Sequence, residues 1–482
     1  MAERFEGWVR PCIHGWLERA ATAWPEAIAV SRPDGSEAVS FAGLAAEAIR
    51  TAAALRPLGP GDRRMMIPTR SPQTVRWLFA AWACHATVVP IGPRLGRQQR
   101  QQRLERVPLH VLVDPGATDP IRVLRAPAGR TGEPRLDPEI PLIMFTSGST
   151  GVPKAVQISH RNLRAAAQAN AARVTGDTET VWYDPLPLEH MGGLMPIVRA
   201  PLYGMTSIID DDLDPTRLSD RLQTSGATAI SLVPTMLRRW LSALDAVPEA
   251  LEAVLVGGAA TPPALVQQSL ARGVPLFVTY GMTETTSQVA TATPAMLAAD
   301  PATVGPPLDG VTLQTLDATG APTEPGGVGV VVVRGPMLTP GYIDGNRSAF
   351  GTGGFRTGDE GIIDTRGWVR IVGRADRRIV SGGETVDPQV TERVIASVPW
   401  VGDVWVGGLV DDTWGERVVA VVSADDVPQI DALTTVVAEA LDPAHRPRAI
   451  YLTDALPRTP TGTVDARAVR RSIAETDPLW HA

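Results

Sequence analysis

The sequence has almost no lysine: of its 45 lysine and arginine residues, Lys154 is the only lysine and all the rest are arginine. It has only two cysteines, Cys12 and Cys84, which excludes a disulfide framework and suits a reducing compartment. It has no excess of positive charge either, because its net charge is −7. This balance argues against general binding to nucleic acid.

Long apolar runs are also missing. The longest run, around residues 77–89, contains His85 and is too short to span a bilayer. Residues 1–11 mix charged and apolar side chains and lack the apolar core of a signal peptide. We therefore expect no membrane insertion and a cytoplasmic location.

The length predicts more than one domain, because 482 residues exceed the size at which a single hydrophobic core keeps growing. Segments with helical spacing alternate with short apolar runs, which is the pattern of a layered α/β domain. Helices are predicted at 13–24, from Ser40 to 55, from Ser71, and from Ser159 to 174. Strands are predicted at 27–31, 65–67, 86–91, 227–234 and 251–257, the last two as buried parallel strands.

The pattern changes near residue 305. Short β-rich pieces between Gly and Pro turns over residues 305–341 predict a β subdomain, and the last hundred or so residues have the order strand, helix, strands, helix. We therefore predict a large N-terminal domain of layered sheets and helices, residues 1–375, and a small α+β C-terminal domain, residues 376–482.

Four other segments have structural rather than catalytic interpretations. The arginines at a spacing of three in residues 97–107 predict a solvated helix face, and residues 114–138 predict coil. His160 follows the helix start at Ser159, where capping or packing is favoured over catalysis because no nucleophile lies nearby in the sequence. The acidic run Asp210 to Asp212 predicts a solvated turn rather than a metal site.

The segment MFTSGSTGVPKAV, residues 144–156, has the composition of a polyphosphate-binding loop. Its hydroxyls and backbone N–H groups can bind phosphate oxygens, and Lys154 adds a positive charge at the end. The residues concerned are Thr146, Ser147, Gly148, Ser149, Thr150 and Gly151. The alternative, a flexible linker, is disfavoured by the apolar runs on both sides. It is not the GxxxxGK[ST] loop, because Pro153 precedes the lysine and no Ser or Thr follows it.

This loop resembles that of the adenylate-forming (AMP-binding, acyl-CoA ligase) superfamily, and further superfamily segments follow in the required order. Gly257, Gly258 and Ala259 resemble its adenine-binding segment, and Tyr280-Gly281-Met282-Thr283-Glu284 resembles the segment that contacts adenine, the α-phosphate and Mg²⁺. Phe355-Arg356-Thr357-Gly358-Asp359 resembles its ribose-binding segment, and Gly373-Arg374-Ala375-Asp376 its hinge. Together these segments occur in order over nearly the whole chain.

The resemblance implies a role for each matching residue. Lys154 and Thr283 would act on the phosphates, Glu284 would hold Mg²⁺, Tyr280 would lie against adenine, and Asp359 would bond the ribose hydroxyls. Arg374 would lie near the ribose, and Asp376 would be the hinge about which a mobile C-terminal domain turns. These residue types suit the chemistry, because Mg²⁺ prefers a few carboxylates with phosphate oxygens and a carboxylate can accept from a vicinal diol.

The reaction that the resemblance implies has two steps. A carboxylic acid attacks the α-phosphate of ATP, giving an acyl-adenylate and pyrophosphate, and a thiol, usually that of coenzyme A, then attacks the acyl carbon. ATP and coenzyme A are substrates, Mg²⁺ is the cofactor, and no side chain need act as a nucleophile. An acceptor thiol on a carrier protein stays open, as does the oligomeric state, a homodimer included.

Within the superfamily, the phrases ISLVPTML, YGMTETTSQV and SGGE resemble the branch that ligates o-succinylbenzoate to coenzyme A in menaquinone biosynthesis. In that branch His190 matches a position that lines the acyl pocket, with a packed core histidine as the alternative. Gly382 and Gly383 match the segment of the thioester-forming step. Ligases for other aryl or fatty acids share these phrases and stay open.

The pattern breaks at one catalytic position. The superfamily places a lysine near the C-terminus, and the matching phrase LPRTPTGTVD has Thr463 there. Three accounts stay open: slow adenylation, replacement by Arg458 or Arg467, or a nucleotide-binding pseudoenzyme. Loss of such a donor costs a factor on the order of 10² to 10³ in rate. The other matching residues favour catalysis. A smaller departure is Arg377, where the superfamily commonly has an acid.

Overall fold

Helices and strands alternate along most of the chain, as the sequence predicts. The computed structural model describes residues 12–55, 64–67, 70–93, 95, 97–107, 109, 111–113, 121–123, 137, 139–146, 153–374, 377, 379–381, 384–411, 414–424, 429–458, 464–474 and 476–481. Of the predicted site residues, Ser147, Gly148, Ser149, Thr150, Gly151, Asp376, Gly382, Gly383 and Thr463 lie outside these residues.

The strands within the described residues are β1 (Ile28–Ser31), β2 (Val39–Ser40), β3 (Arg64–Ile67), β4 (Thr87–Pro90), β5 (Val111–Val113), β6 (Ile121–Val123), β7 (Leu142–Thr146), β8 (Lys154–Ile158), β9 (Val181–Asp184), β10 (Thr206–Ile209), β11 (Ala229–Leu232), β12 (Ala253–Val256), β13 (Leu276–Gly281), β14 (Gln288–Ala292), β15 (Thr312–Leu316), β16 (Val328–Arg334), β17 (Gly341–Tyr342), β18 (Phe350–Gly351), β19 (Gly354–Ile363), β20 (Val369–Arg374), β21 (Ile379–Ser381), β22 (Glu384–Val386), β23 (Val401–Asp411), β24 (Gly415–Ala424), β25 (Ala449–Thr453) and β26 (Trp480–His481).

The α-helices of the same residues are α1 (Ile13–Ala23), α2 (Phe41–Leu55), α3 (Pro72–Ala83), α4 (Arg97–Arg106), α5 (His160–Arg173), α6 (Met191–Tyr203), α7 (Leu218–Ser225), α8 (Pro234–Ala243), α9 (Pro263–Ala271), α10 (Pro294–Ala299), α11 (Pro388–Ala396), α12 (Ile430–Ala440) and α13 (Ala466–Ile473). A short 3-10 helix covers Thr283–Thr285.

The first sheet has the strand order β14-β13-β12-β11-β9-β10-β1-β2. Its strands from β13 to β1 are parallel, and the edge strands β14 and β2 are antiparallel. Every residue of β11 and β12 is buried, which confirms the two predicted core strands. Parallel strands of this kind are expected to be covered by helices on both faces.

The second sheet has the order β17-β8-β7-β4-β3-β5-β6. Its centre is parallel, whereas β8 and β17 add antiparallel strands at one edge and β6 at the other. Strand β6 corrects the prediction of coil throughout residues 114–138. Three residues that pair with a neighbouring edge form a strand that local composition does not reveal.

The third and fourth sheets supply the β subdomain and the C-terminal part. The third has the order β15-β16-β19-β18 with β20 on β19, and the fourth has the order β22-β21-β24-β25-β26 with β23 on β24. Helices α11 and α12 pack on the fourth sheet through buried apolar residues, among them Ile395, Leu433 and Ile450.

The contacts within the chain divide it into two compact units. The first contains Met1–Leu313, Val333–Phe355 and Gly367–Val369, and the second contains Gln314–Val332, Arg356–Arg366 and Arg370–Ala482. A large N-terminal α/β part and a small C-terminal part are thus confirmed. The predicted boundary between residues 375 and 376 stays a prediction.

Helix starts follow the local chemistry of the sequence. Ser71 caps α3 by accepting from Thr74 N at 3.1 Å, with Pro72 at the first position. Ser159 and Asn162 form a reciprocal capping box at α5. His160 is buried and accepts from Ile13 N at 3.3 Å, so the predicted packing role is confirmed.

Two charged side chains are less exposed than the sequence predicts, although Asp211 and Asp212 are exposed as predicted. Asp210 is buried rather than solvated, because it accepts hydrogen bonds from the Tyr183 hydroxyl and from Arg221 at 2.6 Å. Arg103 does not lie on a fully solvated face, because its guanidinium is 5.5 Å from the Phe145 ring centroid and is partly buried. In both cases a partner distant in sequence covers the charge.

Candidate active site

Lys154 and Thr146 face each other across two antiparallel strands. Thr146 ends β7, Lys154 begins β8, and their Cα atoms are a register pair. The predicted phosphate loop therefore connects two ends that the second sheet fixes side by side.

Glu284 lies in the short 3-10 helix that follows β13 and is only 8% exposed. Its Oε1 accepts from the Tyr342 hydroxyl at 2.8 Å, and its backbone carbonyl accepts from Thr339 N at 2.8 Å. Tyr342 belongs to β17, which pairs with β8, and Lys154 Nζ is 5.3 Å from the Tyr342 ring centroid. The structure thus brings the predicted residues Lys154 and Glu284 to the same tyrosine.

Tyr342 is a residue that sequence reasoning missed. Burial, followed by the charge of Glu284, raises the pKa of Tyr342 well above its usual range, so the hydroxyl keeps its proton and donates a hydrogen bond to the carboxylate. The chain has only five tyrosines, and a buried tyrosine needs a partner for its hydroxyl, which is the signal that was available.

The turn that presents Thr283 and Glu284 is held tightly. A side chain at Gly281 would collide with the Ser287 carbonyl, so no other residue fits there. Thr286 adopts a left-handed conformation with φ +63° and donates from its hydroxyl to Met337 O at 2.6 Å. Such strain persists only where the surroundings fix it, and functional sites are where it is commonly found.

The predicted adenine-binding residues lie at neighbouring strand ends of the first sheet. Gly257, Gly258 and Ala259 follow β12, Tyr280 is the penultimate residue of β13, and β12 and β13 are parallel. Gly258 has φ +78° and, like Ala259, is exposed. The crevice outside the carboxyl ends of parallel strands is where ligands of α/β sheets bind.

Asp359 and Arg374 form an ion pair in the second unit, at 3.1 Å between Oδ1 and Nη1. They belong to the neighbouring strands β19 and β20, and Asp359 is only 7% exposed. Gly358 has φ +79°, and a Cβ there would lie 3.3 Å from Arg374 Nη2. The pairing fixes the direction of the Asp359 carboxylate.

His190 is the N-cap residue of α6. The segment before it, residues 185–189, packs against the first turn of α6, where a Cβ on Gly193 would lie 2.6 Å from the Leu186 carbonyl. The side chain of His190 makes no capping bond. This geometry is compatible with the predicted place at an acyl pocket, which stays a prediction.

A buried cation lies further along α6 and was also missed. Arg199 is 2% exposed, stacks 4.0 Å above the Trp182 ring centroid, and donates to Met195 O at 3.1 Å and to Asn170 Oδ1. Among the described residues no carboxylate comes within 4.0 Å of it. Burial lowers the pKa of Arg199 to about 10. An arginine inside the apolar stretch MGGLMPIVRAPLY was the available signal.

Asp184, at the end of β9, is a buried acid like the buried base Arg199. It is fully buried, its Oδ1 accepts from Leu186 N at 3.2 Å, and its Oδ2 has no hydrogen-bond partner within the described part of the chain. Burial raises the pKa of Asp184 well above its usual range, against the opposing charges of Arg199 and Arg70. The region therefore holds two buried polar groups that the protein does not pair directly.

The described residues contain no group of three or more His, Cys, Asp or Glu side chains that could hold a metal by themselves. A single buried carboxylate, Glu284, nevertheless suits Mg²⁺, which is commonly bound by one or two carboxylates together with substrate phosphates. No helix in the same residues is long and apolar enough to cross a membrane.

Two family models match the chain. The model of AMP-binding enzymes matches residues 17–343, and the model of their C-terminal domain matches residues 391–463. The 2-succinylbenzoate–CoA ligase of Geobacillus kaustophilus is 30% identical over 487 residues, which cover 96% of this chain and 99% of the relative.

Solved structures agree with the sequence relatives. The o-succinylbenzoate CoA synthetase of Bacillus subtilis in complex with its acyl-adenylate intermediate aligns with a TM-score of 0.85 at 26% identity, covering 96% of this chain and 98% of that one. The same synthetase in complex with ATP and magnesium aligns with a TM-score of 0.83 at 27% identity, covering 93% and 98%.

Proposed function

The chain belongs to the family of AMP-binding enzymes and is an AMP-forming acid–CoA ligase, and from this premise we propose that its acid is 2-succinylbenzoate. In the first step a carboxylate oxygen of the acid bonds to the α-phosphorus of ATP, and the bond to pyrophosphate breaks. In the second step the sulfur of coenzyme A bonds to the acyl carbon, and AMP leaves. The proposed location is the cytoplasm.

The observation that carries the choice of acid is the buried charge of Arg199. A guanidinium that is 2% exposed and has no carboxylate within 4.0 Å among the described residues would be stabilised by an anionic ligand. 2-Succinylbenzoate has two carboxylates, and activation of one leaves the other charged. A fatty acid or a simple aryl acid has no second charge to offer, so Arg199 favours a dicarboxylate.

The residues around Tyr342 suit the charge that develops in the first step. Lys154 neutralises phosphate oxygens, and Glu284 would hold Mg²⁺, which supplies further neutralisation of the polyphosphate when bound. Thr283 donates to the α-phosphate from a turn that Gly281 and Thr286 make rigid. We propose that Asp359 and Arg374 bind the ribose and that Gly257 to Ala259 and Tyr280 bind adenine.

The missing C-terminal lysine limits the first step. Of its two candidate replacements, Arg458 pairs with Asp403, which counts against it. Arg467 lies in the first turn of α13, beside the N-cap residue Asp465. An enzyme that transfers the acyl group to a carrier-protein thiol, and a pseudoenzyme that only binds nucleotide, are the competing functions.

The test measures AMP and pyrophosphate release from purified protein with ATP, Mg²⁺, coenzyme A and a panel of acids. The panel contains 2-succinylbenzoate, 4-oxo-4-phenylbutanoate, which lacks the ring carboxylate, benzoate and fatty acids. We expect turnover with 2-succinylbenzoate and at least a hundredfold lower kcat/KM with the analogue. Equal turnover of the analogue would remove the argument from Arg199. Acid-dependent pyrophosphate release without acyl-CoA would favour the carrier-protein alternative, and tight ATP binding without any turnover would favour the pseudoenzyme.

A matched pair of variants sharpens this test. Arg199→Met removes the buried charge, whereas Arg173→Met removes a partly buried arginine of α5 that donates to the Thr291 carbonyl at 2.9 Å. We expect Arg199→Met to reduce kcat/KM for 2-succinylbenzoate by a factor on the order of 10² while leaving the analogue little affected, because truncating one partner of a buried charge pair is costly. Arg173→Met should keep the acid preference. A uniform loss for both acids in Arg199→Met would contradict the proposed pairing.

A further inference from the structure

One arginine joins the carboxyl ends of two neighbouring strands. Arg70 follows β3 of the second sheet, and its guanidinium reaches loops of the first sheet. Its Nη1 donates to the Pro185 carbonyl at 2.7 Å, and its Nη2 donates to the Asp211 carbonyl at 2.8 Å. Pro185 follows β9 and Asp211 comes just after β10, and these strands are adjacent and parallel. The planar fork of a guanidinium suits two parallel acceptors in this way.

The Pro185 carbonyl begins the segment that ends at His190. Asp184 Oδ1 holds the next amide, Leu186 N, at 3.2 Å, and the His190 amide donates to Pro187 O at 3.1 Å. Gly193 of α6 lets the helix approach the segment closely, since a Cβ there would lie 2.5 Å from Pro187 O. The backbone of this segment, residues 185–190, is therefore held by local bonds and by a long-range donor, Arg70.

The Asp211 turn has a second arginine, which provides a comparison. Arg32 Nη1 pairs with Asp211 Oδ2 at 2.9 Å, and Arg32 Nε pairs with Glu37 at 3.0 Å. Arg32 and Arg70 thus hold the same turn, one through the carboxylate and the other through the backbone. Of the two, Arg70 is the one that bonds to Pro185.

We propose that Arg70 is a positioning residue for the acid substrate, which fixes the segment 185–190 and so sets the place of His190. The proposal rests on the proposed function in taking this segment as a wall of the acid pocket. A charged donor on a backbone carbonyl stabilises one conformation of the segment more strongly than a neutral donor would. In the described part of the chain, Tyr342 and Glu284 make no hydrogen bond to Arg70 or to Pro185, so the effect falls on the acid.

The kinetic test compares Arg70→Met, Arg70→Lys and Arg32→Met. We expect Arg70→Met to raise KM for the acid about tenfold and to leave KM for ATP unchanged within a factor of two. Arg70→Lys should recover part of the loss, because an ammonium keeps the charge but lacks the fork that spans both carbonyls. Arg32→Met, which disturbs the same turn without touching Pro185, should leave both constants unchanged. Equal changes in the two KM values, or an effect of Arg32→Met as large as that of Arg70→Met, would overturn the proposal.

A second readout does not depend on the acid. Hydrogen–deuterium exchange of full-length protein without ligands should show faster exchange at the Leu186 and His190 amides in Arg70→Met and wild-type exchange in Arg32→Met. Unchanged exchange in Arg70→Met would overturn the positioning role, and faster exchange with an unchanged KM for the acid would overturn its link to substrate. If wild-type protein does not use 2-succinylbenzoate, the proposed function fails, and the exchange result still decides whether Arg70 fixes the segment.

Discussion

The hydroxyl of Tyr342 donates a 2.8 Å hydrogen bond to Oε1 of Glu284, across 58 residues of sequence. Because Tyr342 lies in β17, beside β8, this bond ties the short 3-10 helix of Glu284 to the strand that begins with Lys154. Burial and the carboxylate keep the tyrosine protonated, so the donor is permanent. One oxygen of Glu284 is thus committed to Tyr342, which fixes the direction of the whole carboxylate.

The role proposed for Glu284 predicts the behaviour of Glu284→Ala. Removing the carboxylate should sharply raise the Mg²⁺ concentration needed for half-maximal pyrophosphate release, because the metal then depends on phosphate oxygens and water alone. Mg²⁺-dependent binding of ATP, measured by calorimetry, should weaken in parallel. An unchanged Mg²⁺ titration would refute the role.

Tyr342→Phe isolates the hydrogen bond, since the ring that faces Lys154 remains. We expect a several-fold higher Mg²⁺ requirement, smaller than that of Glu284→Ala, because the carboxylate is present but no longer held. Tyr183→Phe is the matched control: its hydroxyl is also bonded to a buried acid, Asp210, outside the turn that holds Glu284. Tyr183→Phe should reduce thermal stability and leave the Mg²⁺ titration unchanged. The opposite pattern would mean that Tyr342 serves stability only.

Local patterns in the sequence predicted the features that are themselves local. The capping residues Ser71 and Ser159 and the buried strands at 229–232 and 253–256 are fixed by residues within a few positions, and all were found. The resemblance to a family supplied Lys154 and Glu284, whose approach to one tyrosine no spacing could reveal.

The features that sequence reasoning missed depend on partners far along the chain. Asp210 is buried because Tyr183 and Arg221 reach it, whereas Asp211 and Asp212 of the same acidic run are exposed. Arg70 bonds to Pro185 across 115 residues and to Asp211 across 141. Tertiary packing decided these cases, since composition alone favours exposure of such charged residues.

His160 predicts a pH dependence of stability. Burial, followed by the charge of His85, lowers the pKa of His160 to about 4 from 6.5. The folded state therefore resists protonation of His160. The contribution of the neutral imidazole to the free energy of unfolding is full above pH 6.5 and is lost as the pH falls toward 4. The loss is about 3 kcal/mol, from a shift of roughly two and a half pKa units.

His160→Gln tests this expectation, because glutamine can still accept from Ile13 N but does not titrate near neutral pH. Urea unfolding at pH 7.5 should show the variant less stable than wild type by about 1 kcal/mol, from poorer packing against Trp16. Between pH 6.5 and 4 the variant should lose less stability than wild type, so that the two curves cross and the variant is the more stable of the two near pH 4. Parallel curves would mean that the His160 pKa is close to its ordinary value in the folded protein.

Thr463→Lys addresses the one catalytic position at which the chain departs from its superfamily. The superfamily's lysine at that position acts in adenylate formation, where a cation bridges the acid carboxylate and the α-phosphate. Thr463 cannot supply this charge, and the only lysine of the chain is Lys154. Restoring the cation should therefore raise the rate of pyrophosphate release in single turnovers by a factor on the order of 10². The thioester step, measured from preformed acyl-adenylate and coenzyme A, should change little. Thr463→Met, of similar length without charge, is the control and should not accelerate the first step. If Thr463→Lys is neutral or slower in the first step, an arginine already supplies the charge, and Arg467→Met should then reduce adenylation while leaving the thioester step intact.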